Sequence, residues 1–162
     1  EILGTAGTLM KNIDFFKNST GLLIHADNYT EDCLTDFLET HHRRPDNCIL
    51  SMLTFYTDDP SSCGIVKKDN EGRIVEFYEK SKKDNGNIAN GALYAFEDDL
   101  ADFLKSLNYE INDFSIEVLP LLIGKIFSWH TQEIFLDIGN PSSLEKANSL
   151  AKLNENENFK RI

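Results

Sequence analysis

Short apolar runs alternate with stretches of helical period along the whole chain, and two of the runs stop at an aspartate. Residues 21–26 (GLLIHA) lead into Asp27, and residues 133–136 (EIFL) lead into Asp137. Asn28 follows the first and Gly139 comes soon after the second, so each reads as a buried strand delivering a carboxylate to the rim of a sheet, where open α/β sheets bind ligands. Upstream, residues 3–9 (LGTAGTL) are small enough to let backbone approach a ligand, with Thr8 or a neighbour opening a helix that carries Met10 and Phe16. Thr30 is placed to cap a helix with Glu31 and Asp32 in its first turn. Leu34, Phe37, Leu38 and His41 form its apolar face, with His41 and His42 at its surface end.

Residues 49–57 form a fully apolar, β-branched and aromatic run that predicts a buried strand. Residues 64–68 and 73–79 flank the turn cluster 69–72 and predict an antiparallel hairpin, followed by a polar loop over 80–87. A strand over 88–96 comes next, then an amphipathic helix over 98–107 that turns Leu100, Phe103, Leu104 and Leu107 inward. Asp113 can cap a shorter helix that Pro120 bends or ends. A strand at 126–130 precedes the run into Asp137. Asn140 and Pro141 then open a last helix through Leu153, beyond which the Asn- and Glu-rich residues read as a frayed tail. Strands alternating with helices give an α/β class with a mixed sheet. The division is one domain over 1–153 and a polar tail over 154–162.

At 162 residues, with 41% apolar and 27% charged residues, the chain is long enough for one domain with a core. Its apolar runs fall short of the roughly 20 residues a membrane helix needs. No basic region followed by a hydrophobic segment opens the sequence. Cys33, Cys48 and Cys63 have neither CxxC spacing nor an even count, which fits a reducing, cytoplasmic setting rather than a disulfide or zinc framework. A formal charge of -11 argues against a nucleic-acid partner. If the ligands are phosphates, a divalent cation has to offset the repulsion, and two carboxylates meeting at a sheet edge can hold Mg²⁺ for that purpose.

Each of these residues also has a plain structural reading. Asp27 and Asp137 serve as turn residues in many loops. Lys80 begins a loop that also carries Lys82 and Lys83, a pattern usual for solvated surface. Asn90 beside Gly91 is the composition of a β-bulge. His25 reads as packed or partly exposed rather than catalytic, and Trp129 and the phenylalanines as core.

Taken in order, LGTAGTL, HADN, GIVKKDNEGRIVEFYEKS, ANGALY and FLDIGNP resemble the sugar-phosphate nucleotidyltransferases, most nearly the mannose-1-phosphate or heptose-1-phosphate guanylyltransferase branch. The resemblance runs from Leu3 to about Leu150. It implies a Rossmann-like mixed-sheet domain that transfers a nucleotidyl group, GMP from GTP, to a sugar 1-phosphate with release of pyrophosphate. By the same resemblance Gly7 and Thr8 lie near the nucleotide, and Asp27 and Asp137 bind Mg²⁺. Lys80 meets the sugar phosphate, Glu79 contacts sugar hydroxyls, Asn90 and Gly91 line the sugar pocket, and Glu117 is a further sugar-site candidate. The family's opening GxGTR-type loop does not occur in these residues. The expectation is therefore a carboxyl-terminal part of the domain, without its amino-terminal strands and glycine-rich loop. Such a part is expected to be inactive alone and to pair with the missing amino-terminal segment or with a second copy. Two other classes remain open: a nucleotide-sugar-dependent glycosyltransferase, whose short DxD pair is absent here because position 25 is histidine, and a non-catalytic module that senses NDP-sugars.

Overall fold

A computed structural model describes residues 2–159, with side chains described through Leu153. The described residues form four α-helices and eight strands. The helices are α1 (Gly4–Lys11), α2 (Leu34–His42), α3 (Asp98–Ser106) and α4 (Pro141–Phe159). The strands are β1 (Gly21–Ile24), β2 (Asn28–Thr30), β3 (Leu50–Tyr56), β4 (Gly64–Lys68), β5 (Ile74–Glu79), β6 (Ile88–Phe96), β7 (Ile126–His130) and β8 (Phe135–Asp137). Six strands make one sheet in the order β5-β4-β6-β3-β7, with β1 also paired to β6. β6 shares one of its edges between β4, at Ala89, and β1, from Leu93 to Phe96. The β3–β7 pair is parallel and the other pairs are antiparallel, so the sheet is mixed as the pattern predicts.

The two central strands, β3 and β6, bury both faces along most of their length, which explains the apolar reading of residues 49–57. On β6, Tyr94 and Phe96 point into a cluster with α1, α3 and the helical turns of residues 114–122, while Leu93 and Ala95 point to the opposite cluster, with Phe37 of α2 and Phe135. Leu50 and Met52 of β3 join the first cluster and Leu53 the second. Each fully buried Leu, Met or Phe among them contributes about 1.5–3 kcal/mol. The predicted hairpin forms in register, Gly64 opposite Glu79. Its tip is fastened to the far side of the sheet: Ser128 N–H donates to the Gly72 carbonyl at 2.8 Å, Gly124 N–H donates to the Ile74 carbonyl at 2.8 Å, and Arg73 bridges to Phe127.

Four expectations change. The segment LGTAGTL is not a loop before a helix: α1 begins at Gly4, whose φ of +67° and near approach to Asn112 both require glycine. Its small residues serve packing, since the Ala6 N–H donates to the Asn112 carbonyl at 2.9 Å and Gly7 lies against the Ile111 carbonyl. Thr30 does not cap α2. It ends β2, and its hydroxyl bonds to Asp32, with the helix starting after Cys33. His41 is not at the surface but fully buried, with Nδ1 2.7 Å from Ser51 Oγ. The last helix continues to Phe159 rather than fraying after Leu153, while Lys160–Ile162 lie outside the described residues. Asp113 and Asn140 cap as expected, accepting from Ile116 N–H at 2.8 Å and Ser143 N–H at 3.0 Å.

Candidate functional site

The two aspartates meet, though not at the rim of the main sheet. β8 leaves that sheet and pairs with β2 in a two-stranded ribbon that sets Asn28 opposite Asp137. β1 stops at Ile24, and Asp27 stands in the turn between β1 and β2, where its carbonyl accepts from Ile138 N–H at 2.7 Å. Asn28 Nδ2 donates to the Gly91 carbonyl at 2.7 Å and ties this turn to β6. Asp137 Oδ1 accepts from Gly139 N–H at 2.8 Å. A Cβ built on Gly139 would stand 2.9 Å from Asp137 Oδ1 and 3.2 Å from Asp27 Oδ2. Both carboxylates therefore face one space, and it is open because residue 139 has no side chain.

Both carboxylates are exposed, and among the described residues Asp27 has no side-chain hydrogen bond. Like charges this close repel, and a cation between them removes the repulsion. Hard carboxylate oxygens suit a hard divalent ion. No third His, Cys, Asp or Glu completes a cluster among the described residues, so such an ion would keep positions for water and ligand oxygens.

Beside Asp137 lies a cavity of about 160 Å³ that takes in Glu79, Lys80, Asn90, Gly91 and Ser115. Glu79 closes β5 opposite Gly64, and a Cβ on that glycine would come within 2.8 Å of Glu79 Oε2. The residue is exposed overall, but its carboxyl end folds over the hairpin. Burial pushes the acid up from its usual range, Lys80 opposes that, and Asp113 adds to it. Lys80 follows in the left-handed region at φ +45°, with its N–H donating to the Cys63 carbonyl at 3.1 Å, so the chain turns there while staying anchored to the hairpin.

Asn90 sits at a bulge, as its composition allows: the β3–β6 register shifts between Met52 and Thr54, and Ala92 has a φ of +48°. Its Oδ1 accepts from Ala92 N–H at 2.9 Å, and its Nδ2 donates to Tyr94 Oη at 2.7 Å. Gly91 packs where a Cβ would meet Leu53 Cδ2 at 2.6 Å and Phe135 Cζ at 3.0 Å.

Gly7 and Thr8 are separated from this group and from each other in orientation. Thr8 and Asp27 border a larger, mostly apolar groove of about 1020 Å³ between α1 and β1, whereas Gly7 faces the Ile111 side of the helix. Glu117 is not in the cavity. Its carboxylate accepts from Asn112 N–H at 2.8 Å and Asp113 N–H at 2.6 Å, bonds that hold it below the usual carboxylate range and cap the helical turn. Three residues absent from the expected site belong to its surroundings: Asn28, Ser115 and Tyr94. Asn28 and Tyr94 fall inside the HADN and ANGALY segments, where no role of their own is legible, and Ser115 carries no local signal. His25, read as packed or partly exposed, is half-buried and borders both the cavity and the groove.

Residues 1–153 match the profile of the Nucleotidyl transferase family. The chain is 29% identical over 171 residues to a glucose-1-phosphate adenylyltransferase of Bacillus cytotoxicus, covering 95% of this chain and 46% of the relative. It is 28% identical over 155 residues to the Bacillus cereus protein of the same name, covering 90% and 41%. It thus spans less than half the length of these curated relatives. Among solved structures, a Bacillus anthracis protein assigned as a glucose-1-phosphate thymidylyltransferase and crystallised with a sucrose superposes with a TM-score of 0.79 at 24% identity, covering 93% of this chain and 62% of that one. HddC from Yersinia pseudotuberculosis, complexed with GMP-PN, superposes at 0.72 with 23% identity, covering 91% and 62%. These likenesses establish a shared fold.

Proposed function

This chain belongs to the nucleotidyl transferase family, and from that premise we propose that its partial domain, residues 1–153, serves in the transfer of a nucleotidyl group from a nucleoside triphosphate to a sugar 1-phosphate. A phosphate oxygen of the sugar 1-phosphate attacks the α-phosphorus in line, and the bond from that phosphorus to the β-phosphate bridging oxygen breaks. Pyrophosphate leaves and an NDP-sugar forms. Nothing in this displacement calls for a protein nucleophile, so catalysis consists of positioning and charge neutralisation.

The observation that supports this reading is the convergence of Asp27 and Asp137 on the space left by Gly139, next to the cavity bordered by Lys80 and Asn90. Asp27 and Asp137 would hold Mg²⁺, which when bound neutralises charge on phosphate oxygens. Lys80 supplies a compact positive charge for the attacking phosphate monoester. Glu79 accepts from sugar hydroxyls, and Asn90 offers both a donor and an acceptor. Thr8 borders the groove on the Asp27 side, where the nucleotide is assigned. Gly7 contributes by letting α1 lie close to residues 111–112.

For the donor, the resemblance at the sequence level favours GTP, and the names of the curated relatives favour ATP as a second reading. Calorimetric titration with GDP-mannose and with ADP-glucose, each with and without Mg²⁺, tests the function and separates the donors. Binding that requires Mg²⁺ and is lost in Asp27→Asn and Asp137→Asn is expected. Binding indifferent to both metal and substitution would favour an NDP-sugar sensor, and transfer of the sugar to an acceptor would favour a glycosyltransferase. Pyrophosphate release separately tests the expectation that the 162-residue chain is inactive alone, where Lys80 and one metal ion would have to balance a triphosphate and a monophosphate.

A further inference from the structure

We infer that Tyr94 is a positioning residue that fixes the side-chain amide of Asn90, so that the cavity reads sugar hydroxyls through one donor and one acceptor of set orientation. The inference rests on the sugar-phosphate reading of that cavity and goes beyond it by naming how the sugar end is specified. Tyr94 is fully buried, and its ring packs against Phe114 at 5.1 Å between centroids. A phenolic oxygen brought this deep needs partners. From the cavity side it has Asn90 Nδ2 at 2.7 Å.

The amide of Asn90 has no freedom to turn over. Ala92 N–H is a donor and requires an oxygen, so Oδ1 must face it, at 2.9 Å. Nδ2 is then directed to Tyr94 Oη. An Asn side chain has two N–H donors and two acceptor lone pairs. With one of each engaged by the protein, Asn90 retains one N–H and one lone pair, fixed in direction, for a ligand. That pairing matches two neighbouring hydroxyls, one accepting and one donating. Without the tyrosine oxygen, Nδ2 loses its fixed partner and the amide can rotate about its bond to Cβ, held only through Oδ1.

Phosphate recognition is assigned to Lys80, which does not contact this network, so sugar and phosphate can be probed apart. Binding of glucose 1-phosphate and of inorganic phosphate to the 162-residue chain is measured by NMR titration, with the Asn90 side-chain amide signal followed by selective ¹⁵N-asparagine labelling. In Tyr94→Phe the dissociation constant for glucose 1-phosphate should rise about tenfold, the loss expected of one misplaced hydrogen-bonding group. That for inorganic phosphate should stay constant, and the Asn90 amide signal should shift or broaden before any ligand is added. In an Asn90→Ala background, adding Tyr94→Phe should change neither constant further, and this comparison also serves if Tyr94→Phe alone folds poorly. Equal rises for both ligands, an unchanged glucose 1-phosphate constant, or an undisturbed Asn90 signal would overturn the positioning role. A wild-type chain that binds inorganic phosphate but no glucose 1-phosphate would instead sink the sugar-site reading, and the Asn90 signal in Tyr94→Phe would still decide whether the tyrosine fixes the amide.

Discussion

Asp27 Oδ2 and Asp137 Oδ1 face each other across the bare α-carbon of Gly139, 3.2 Å and 2.9 Å from the point where a β-carbon would stand. A methyl group there lies closer to Asp137 Oδ1 than real side-chain carbons come, and in tight contact with Asp27 Oδ2. Gly139→Ala is therefore expected to weaken Mn²⁺ or Mg²⁺ binding by at least about tenfold, as loss of site geometry typically does. Folding should be little affected, because the position is exposed. Calorimetric metal titration alongside a thermal melt checks both halves.

Gly91→Ala should act in the opposite way, on folding first. The added carbon would meet Leu53 Cδ2 at 2.6 Å, Phe135 Cζ at 3.0 Å and the Leu53 carbonyl at 3.2 Å. Overpacking of this kind costs about 1–3 kcal/mol. Because the Gly91 carbonyl also receives Asn28 Nδ2, the turn that carries Asp27 should loosen with it. Urea unfolding gives the first effect and metal titration the second.

Ala92 holds a left-handed backbone conformation, φ +48°, that costs an L-residue about 1 kcal/mol. Ala92→Gly removes the strain at some expense in chain entropy. A net gain of a few tenths of a kcal/mol or more is expected in urea unfolding, with the Asn90 Oδ1 bond to the residue 92 amide retained.

Burial drives the imidazole of His41 down from 6.5 to about 4. Arg44 and His42 act in the same direction and Glu97 opposes them. The unfolded chain takes up this proton below about 6.5 while the folded chain waits until about 4. Stability from this residue is therefore complete above 6.5 and falls as the pH drops towards 4, by about 3 kcal/mol. In His41→Leu the midpoint of urea unfolding should depend less steeply on pH over that window. Its stability at neutral pH should be lower, because Ser51 loses its partner.

Elements whose evidence is local were legible in the chain. The β4–β5 hairpin, β6 and α3 each announce themselves through turn residues and periodicity within a dozen positions. The ribbon of β2 and β8 was not, because Asn28 and Asp137 pair from about two thirds of the chain apart and three-residue strands carry little pattern of their own. The convergence of Asp27 and Asp137 could be anticipated from strand-end aspartates and the resemblance, but not their setting, which depends on that ribbon. LGTAGTL misled for a physical reason: small residues permit a tight loop and a closely packed helix equally well, and only the partner segment at 111–112 decides between them. His41 misled because a histidine near a helix end is ordinarily wet: its place on the apolar face with Leu34, Phe37 and Leu38 pointed to burial, but the partner that satisfies it, Ser51, lies on another element.

The fastening of the β4–β5 tip to residues 124–128 bears on how steadily Lys80 is held. A ribbon anchored at one end swings like a flap. This one is pinned at its turn by Gly72 and Ile74 and at its mouth by the Cys63–Lys80 and Ile65–Ala89 contacts, so it can bow at midspan but not pivot. Thermal excursions of the 81–87 loop therefore have little leverage over the ammonium group's root, and the cation proposed to meet a small phosphate begins from a platform stiffened by the opposite side of the molecule.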